Sequence, residues 1–409
     1  MPPRKSASID PLPDRPASPR KGRGATFNPD NRFADRTREP VDDGWALAAD
    51  ETARHEMHER DGPPRARIPE CGARSHVGEP APLPTIVRIQ QARTIISRND
   101  SPDIPFTQSI NPYQGCEHGC IYCYARPSHA YLDLSPGLDF ETRLFAKPHA
   151  AELLRHELAR PGYRCEPIAL GANTDPYQPI EREWRITRQV IEVLAACDHP
   201  LTITTKSALV ERDLDLLAPM AAKGLVRVYV SIGMLDRDLA RTLDPRAPTP
   251  QRRLQAVQAL AAAGVPTGVI AAPMIPQLTD RFLEAILEAA AAAGATHAGW
   301  TMLRLPREVA PLFRAWLDVH QPLRAAHVMS LVRQIRGGRD NDPDFGSRMR
   351  GEGPFANLLA RRFAIACRQL RLNGAQAPLD TARFRPPAAA RPARPADDRQ
   401  RDLFGDPSR

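Results

Sequence analysis

The chain has 409 residues, of which 42% are hydrophobic, so it is long enough to bury one large core or two smaller ones. It contains no apolar run of membrane-spanning length and no hydrophobic signal core at its N-terminus, and we expect a cytoplasmic protein without a membrane partner. A net charge of +8 permits a nucleic-acid partner but does not require one, since an Arg-, Ala- and Pro-rich composition is also typical of GC-rich genomes. Seven cysteines, an odd number, fit a reducing compartment and a metal site better than a disulfide framework.

The two ends of the chain differ in composition from its middle. Residues 1–85 are polar and rich in proline and arginine, without hydrophobic periodicity, and predict a disordered basic arm in which only 45–60 has the pattern of a short helix. Residues 375–409 have the same character and predict a disordered tail. Residues 86–110 regain alternating apolar residues, which predicts an extended segment leading into a folded core.

The middle of the chain alternates between strand and helix patterns with short connections. The predicted strands are 138–145, 168–171, 201–205, 226–232, 265–271 and 297–303, and the predicted helices between them are 150–159, 183–196, 212–222, 250–263 and 280–293. Such alternation implies parallel strands covered by helices, and about six units are too few for a closed eight-unit barrel. We therefore predict an α/β fold, a partial (β/α)6 TIM-like barrel over 86–305. Residues 306–374 predict a helical C-terminal extension, with helices at 308–320, 323–335 and 355–370 and a polar loop before the last.

A cysteine-rich segment, 111–127 (NPYQGCEHGCIYCYARP), precedes most of this alternation. Cys116, Cys120 and Cys123 have the spacing C-x3-C-x2-C, and no fourth cysteine lies nearby. Iron–sulfur clusters are normally held by thiolates, and three thiolates leave one iron of a 4Fe–4S cube free to take an exogenous chelate. A zinc site with His118 as fourth ligand is the alternative, although structural zinc usually has its ligands in two pairs. The other cysteines are scattered and predict buried or incidental thiols: Cys71, Cys165, Cys197 and Cys367.

Short polar residues follow three neighbouring predicted strands. The first strand leads into GANTDPYQPIE, the next ends in a lysine, and the third ends near a serine. Because the carboxyl ends of parallel strands meet at one edge, these side chains predict a binding site. The alternative is an Asx-type turn, a surface lysine and a capping serine. The residues are Asn173, Thr174, Asp175, Lys206 and Ser231.

The segments GCEHGCIYCYA, ANTDPY, TTKS and VYVSIG, in this order and spacing, resemble the radical SAM superfamily. Within it they are similar to spore photoproduct lyase and its bacterial relatives, over about residues 105–305. The resemblance implies a 4Fe–4S cluster on Cys116, Cys120 and Cys123, with S-adenosylmethionine bound at the fourth iron. It also implies that Tyr122 and Tyr124 line the radical site. It implies that Thr174, Lys206 and Ser231 contact the cofactor, and Asn173 and Asp175 are candidates because they share the polar turn at the strand end where this superfamily binds the methionyl amino group.

The resemblance also implies a chemistry. Reduced cluster and S-adenosylmethionine give a 5′-deoxyadenosyl radical that abstracts hydrogen from a substrate, with an electron donor such as a flavodoxin or ferredoxin. The lyase has a hydrogen-donor cysteine where this chain has Ala172, so the residue that returns hydrogen is open. The substrate is open too: damaged DNA, or a small molecule, peptide or RNA. A non-catalytic iron–sulfur protein is the alternative from another class.

A short motif lies at the end of the predicted tail. Residues 400–405 read QRDLFG, which resembles a peptide that binds the bacterial sliding clamp. In that interpretation Leu403 and Phe404 enter an apolar pocket and Gln400 is a polar anchor. Arg401 stands where the common pattern has leucine, and two apolar residues in a tail by chance are the alternative.

Overall fold

The structure, a computed structural model, describes residues 19–33 and 83–387, and its strands form two sheets. The strands are β1 (Ile86–Ile89), β2 (Ile96–Arg98), β3 (Gln108–Ile110), β4 (Tyr113–Gln114), β5 (Arg143–Ala146), β6 (Ile168–Leu170), β7 (Leu201–Thr205), β8 (Val226–Ser231), β9 (Thr267–Met274) and β10 (His297–Met302). The larger sheet has seven strands in the order β10-β9-β8-β7-β6-β3-β2. Its neighbours from β3 to β10 are parallel, and β2 is antiparallel to β3 at the edge. This sheet confirms the predicted partial barrel, and within the described residues β2 and β10 are its two edges.

Helices connect the parallel strands, as crossover connections require. The helices are α1 (Asp139–Thr142), α2 (Ala150–Leu158), α3 (Glu181–Trp184), α4 (Ile186–Ala196), α5 (Leu214–Ala222), α6 (Arg237–Leu243), α7 (Pro250–Ala262), α8 (Leu283–Ala292), α9 (Val309–His320), α10 (Ala325–Ile335), α11 (Ser347–Arg350) and α12 (Gly353–Gln369). Helices α9 to α12 occupy the segment that the sequence predicts as a helical extension. Within the described residues, no helix is long and apolar enough to cross a bilayer.

Two hydrophobic cores hold the elements together. The larger core lies between the seven-stranded sheet and its helices, where strand residues such as Ile203 and Val228 meet helix residues such as Leu194 and Leu260. The second core joins the cysteine-rich segment to the C-terminal extension. Its members include Ile121, Tyr122, Leu243, Ile275, Phe313 and Trp316. Helix α9 is therefore part of the support under the cysteines and not a separate appendage.

The structure corrects three details of the predicted elements. Residues 138–145 form α1 followed by β5, and β5 joins β1 and β4 in a separate three-stranded sheet. The predicted helix 183–196 is two helices, because Arg185 has a left-handed backbone with φ of 51°. The short strand β3 lies in the predicted extended segment 86–110, but it is the first parallel strand of the barrel and not only a lead-in. Its sequence is only QSI, and three residues with two polar side chains carry no readable periodicity.

Parts of both predicted disordered ends are folded onto the core. In the arm, residues 19–33 lie against the cysteine-rich segment, with Arg23 and Ala25 buried. In the tail, Phe384 packs against Tyr163 and His199. Composition describes an average over the segment, whereas these residues are held by specific contacts that composition does not encode. The predicted helix at 45–60 and the clamp motif at 400–405 lie outside the described residues.

Candidate active site

The cysteine-rich segment follows β3 at the carboxyl end of the sheet. Its first bend is allowed by two glycines with positive φ, 74° at Gly115 and 67° at Gly119. The same bend is crowded: a Cβ at Gly115 would lie 2.6 Å from Leu144 Cδ2. The backbone therefore turns sharply between the cysteines.

A buried ion pair fixes the shape of this loop. The Arg126 guanidinium pairs with Glu141, and both side chains are fully buried. Arg126 also donates to the carbonyls of Cys120 at 3.0 Å and Gly119 at 3.1 Å. An arginine that binds carbonyls on two sides of a loop while neutralised by a carboxylate holds that loop in one conformation.

The described part of the N-terminal arm completes this arrangement. The backbone N–H groups of Gly24 and Ala25 donate to the two carboxylate oxygens of Glu141, at 3.0 and 2.8 Å. Gly24 packs so closely that a Cβ there would lie 1.9 Å from the Gly119 carbonyl oxygen. Residues 19–33 therefore cover the loop from one side.

The three cysteines are close enough to affect each other electrostatically. Cys116 and Cys120 are buried, and Cys123 is partly buried. Burial raises the pKa of the Cys120 thiol, and the charges of Asp244 and the other two cysteines raise it further. In the described residues no group of three or more His, Cys, Asp or Glu side chains is placed to hold a single metal ion. A 4Fe–4S cube does not require its ligands to converge on one ion, because each thiolate binds its own iron.

His118, the fourth ligand in the zinc alternative, is buried. Its Nδ1 lies 3.3 Å from Asp175 Oδ2, an ion pair without hydrogen-bond geometry. Burial lowers the pKa of a histidine, but here the charges of Asp175 and Cys116 prevail and raise the pKa of His118 to about 9. His118 is thus a cation between a cysteine ligand candidate and the polar turn after β6.

Asp175 is the central residue of that turn. Its carboxylate accepts bonds from the Thr205 hydroxyl at 2.7 Å and the Lys206 backbone N–H at 2.7 Å. Burial raises the pKa of a carboxyl group, but His118 and these donors outweigh it and hold the pKa of Asp175 at about 2. Asp175 therefore ties the ends of β6 and β7 to the cysteine loop.

Asn111 fixes the other half of the turn. Its side-chain oxygen accepts from the backbone N–H groups of Asn173 at 2.9 Å and Thr174 at 3.4 Å. The Thr174 hydroxyl, which is buried, donates to the Tyr113 carbonyl at 3.2 Å. The Asn173–Asp175 turn is thus attached to the cysteine loop at three points.

Lys206, Tyr122 and Asp244 form a charged network beside Cys120. The Lys206 ammonium lies 5.9 Å from the centroid of the Tyr122 ring. The Tyr122 hydroxyl donates to Asp244, which also pairs with Arg253 at 2.9 Å. Burial raises the pKa of Asp244, but Arg253 and Lys206 outweigh it, so its pKa lies below the ordinary value. Burial lowers the pKa of Lys206, yet the charges of Cys120 and Asp244 raise it overall.

The remaining predicted residues lie around this network. Ser231 ends β8, where its carbonyl accepts from Arg253 at 3.1 Å and its hydroxyl donates to the Ala272 carbonyl at 3.4 Å. The Tyr124 hydroxyl donates to the carbonyl of Ala172, immediately after β6, and the Tyr124 ring is half exposed. All ten predicted site residues therefore lie in the loop or at the adjoining strand ends.

Sequence reasoning missed four residues that organise the site. Asn111, Asp244 and Glu141 gave no signal, because each acts through a partner remote in sequence. Arg253 could have been recognised from the sequence. It lies on the apolar stripe of α7, four residues before Val257, where an arginine must find a buried partner.

A three-cysteine loop after the first parallel strand of an open α/β barrel is the arrangement of radical SAM enzymes. The family model described as the radical SAM superfamily matches residues 110–290. The chain belongs to the radical SAM superfamily and is an enzyme whose reaction is unassigned. The family implies a 4Fe–4S cluster and S-adenosylmethionine as cofactors.

The chain is also similar to individual proteins. An uncharacterised protein of Mycobacterium tuberculosis is 43% identical over 233 residues, which are 56% of this chain and 68% of the relative. One of Methanocaldococcus jannaschii is 27% identical over 171 residues, 42% of this chain and 61% of the relative. Spore photoproduct lyase complexed with dinucleoside spore photoproduct is similar in structure, with a TM-score of 0.51 and 17% identity over 69% of this chain and 78% of the lyase. At that identity the likeness concerns the fold.

Proposed function

We propose that the chain holds a 4Fe–4S cluster on Cys116, Cys120 and Cys123 and binds S-adenosylmethionine at the fourth iron. The observation that supports this proposal is the placement of three thiols in one glycine-bent loop, at the sheet edge that also carries Lys206 and Ser231. The donor set fits a three-thiolate cube, since every other cysteine in the described residues lies outside the loop.

When bound, the reduced cluster and S-adenosylmethionine supply a 5′-deoxyadenosyl radical that abstracts hydrogen from the substrate. The role of the chain's own residues is to bind and orient the cofactor and the substrate. Lys206 would pair with the methionyl carboxylate, and Thr174 and Ser231 would offer hydroxyl groups at the ends of β6 and β8, on either side of β7. Asn173 offers a short amide, and Asp175 acts by fixing the backbone of Lys206, because its oxygens already accept other bonds.

The two tyrosines have different environments and take different roles. Tyr122 is buried, and its hydroxyl is occupied by Asp244, so it shapes the wall beside Cys120. Tyr124 is half exposed, with its hydroxyl at Ala172, where the lyase has its donor cysteine. We assign hydrogen return to Tyr124 for this reason.

The test uses anaerobically reconstituted protein with dithionite as electron donor, in place of a flavodoxin or ferredoxin. Addition of S-adenosylmethionine is expected to yield 5′-deoxyadenosine, measured by chromatography, and Cys120→Ala abolishes it. Cys165→Ala, which changes a thiol outside the loop, keeps the yield. If intact cluster gives no 5′-deoxyadenosine with or without damaged DNA, two explanations remain: cleavage requires another substrate, or the cluster is a non-catalytic iron–sulfur element.

Damaged nucleic acid is the first candidate substrate, on the basis of the net charge of +8 and the fold likeness to the lyase. A nucleic-acid substrate requires DNA or RNA affinity that falls steeply with salt, because phosphate contacts release counterions. Affinity that does not change between about 50 and 200 mM salt moves a small molecule or peptide to first place.

A further inference from the structure

Arg304 lies at the opening of the candidate active site, two residues after β10 ends. Its guanidinium carbon is 5.6 Å from the centroid of the Tyr124 ring. Tyr124 directly follows Cys123, and its hydroxyl donates to Ala172 at the end of β6. Arg304 therefore stands over the half-exposed tyrosine, on the side of the last strand.

The guanidinium of Arg304 has no anionic partner among the described residues. Its Nη1 contacts only the thioether sulfur of Met349, at 3.6 Å, and sulfur is a weak acceptor. Its Nε is buried without a hydrogen-bond partner. A buried polar atom without a hydrogen-bond partner carries the free-energy cost of its lost hydration.

Two neighbouring arginines have guanidinium partners that Arg304 lacks, although the Nε of Arg336 is likewise buried without a hydrogen-bond partner. Arg348 pairs with Asp103 at 2.6 Å. Arg336, which is buried, donates to the carbonyls of Leu303 at 2.6 Å and Arg348 at 2.8 Å. Both therefore have structural roles that Arg304 lacks.

The charges around Arg304 also favour an incoming anion. Burial and the charge of Arg348 lower the pKa of Arg304, which means that this environment disfavours its positive charge. Asp103 lies within electrostatic range, but its carboxylate is occupied by Arg348 and by the backbone N–H of Gly346 at 2.7 Å. An anion that reaches Arg304 supplies the missing counter-ion and hydrogen bonds together.

We infer that Arg304 binds an oxyanion group of the substrate, a phosphate or a carboxylate, and so holds the substrate over Tyr124. A guanidinium presents two parallel N–H groups that match such a group. The inference deepens the proposed function by naming a chemical feature of the substrate. The methionyl carboxylate is the other source of the same chemistry, and we assign that group to Lys206, whose charge acts directly on Cys120 and Cys123.

The first experiment measures thermal stability of the full chain without added ligand. Arg304→Met removes the unpaired charge and keeps an unbranched side chain of similar reach. Tm is therefore expected to rise by about 2–4 °C. The matched control, Arg336→Met, leaves carbonyls without donors and lowers Tm. A fall in Tm for Arg304→Met comparable to that of the control overturns the inference, because it shows a structural arginine.

The second experiment measures anion binding by calorimetry at constant ionic strength. Inorganic phosphate and acetate, as the two probes, distinguish a phosphate group from a carboxylate. Wild-type protein is expected to bind at least one probe, with affinity at least tenfold lower in Arg304→Met and unchanged in Arg307→Met, an exposed neighbour. Binding of neither probe at up to about 50 mM overturns the inference.

The third measurement separates the two sources of the oxyanion. The affinity of reconstituted protein for S-adenosylmethionine is expected to be the same in wild type and Arg304→Met. A tenfold loss assigns Arg304 to the cofactor carboxylate and overturns its substrate role. The stability and phosphate experiments require neither cluster nor turnover, so failure of cofactor cleavage overturns the proposed function without affecting their outcome.

Discussion

Asp244 connects the predicted site residues to one another although no motif marks it. It accepts from the Tyr122 hydroxyl and pairs with Arg253, and its carboxylate and the Arg253 guanidinium are at most 1% exposed. A buried ion pair adds little net stability when intact, yet removal of one partner leaves a desolvated charge. The Asp244–Arg253 pair therefore positions Tyr122 beside Cys120, and loss of either charge is expected to destabilise the fold.

Asp244→Asn is expected to lower the free energy of unfolding by about 3–5 kcal/mol, because Arg253 then stays buried without a counter-charge. The measurement is urea unfolding of the chain without cluster. Asp238→Asn is the control, since the Asp238 side chain is 91% exposed and its change stays within about 0.5 kcal/mol. Equal midpoints for the two variants contradict the structural role of the pair.

At the scale of elements, residues 19–33 act as a wall of the cysteine loop. Gly24 and Ala25 donate to Glu141, which lies 116 residues after Ala25 in the sequence. Glu141 in turn neutralises Arg126, the residue that binds loop carbonyls. Displacement of this segment therefore exposes the ion pair that shapes the loop.

Gly24→Ala tests this wall by sterics alone, because the added Cβ would lie 1.9 Å from the Gly119 carbonyl oxygen. Tryptic cleavage after Arg23, followed by mass spectrometry, is expected to accelerate at least fivefold, and reconstituted cluster absorption to bleach faster in air. Gly299→Ala in β10 is the matched control, since no atom lies within 4 Å of its added Cβ. Cleavage at the control rate argues against the wall.

The folded part of the C-terminal segment makes stability depend on pH. His199 is buried against Phe384, with Nδ1 2.9 Å from the Pro200 carbonyl and Nε2 2.8 Å from the Tyr163 hydroxyl. In the neutral ring the Nδ1–H donates to the Pro200 carbonyl, and burial lowers the pKa of His199 to about 4. In the unfolded chain the same group has a pKa near 6.5.

Because the folded pKa is depressed, the unfolded state binds the proton first as pH falls. The stabilisation by neutral His199 is complete above about pH 6.5 and lost as pH falls to about 4, a change of about 3 kcal/mol. Denaturant unfolding of wild type and His199→Phe at pH 7.5 and 4.5 measures it as the difference in pH dependence. His149→Phe, at an exposed histidine, serves as control. If His199→Phe keeps the full wild-type pH dependence, the histidine is not the group responsible.

For the whole molecule, local patterns were sufficient to predict the barrel and its ligand candidates. Cys116, Cys120 and Cys123 are recognisable by spacing, and Lys206 and Ser231 by their position at strand ends. The missing parts all depend on contacts remote in sequence. The polar three-residue strand β3 is a strand only because β2 and β6 flank it, and residues 19–33 are ordered only through partners such as Glu141.

The described C-terminal residues contact one face of the larger sheet. The last described contacts, Asp380 with the Gly224 carbonyl and Arg385 with the Cys197 carbonyl, lie before strands β8 and β7. They are therefore at the amino-end face of the sheet, opposite the cysteine loop. Residue 387, the last that the structure describes, therefore follows contacts on the face opposite the cysteine loop.

We propose that Gln400, Leu403 and Phe404 bind a bacterial sliding clamp, as the sequence pattern predicts. A labelled peptide of residues 390–409 is expected to bind the clamp, measured by fluorescence anisotropy, and Leu403→Ala with Phe404→Ala to abolish binding by removing the two apolar anchors. Pro407→Ala is the matched control outside the motif. In the full chain, clamp binding is expected to leave 5′-deoxyadenosine production unchanged, since the tail starts on the opposite face. An intact peptide that shows no binding at about 500 µM, where even a weak motif is occupied, contradicts the recruitment.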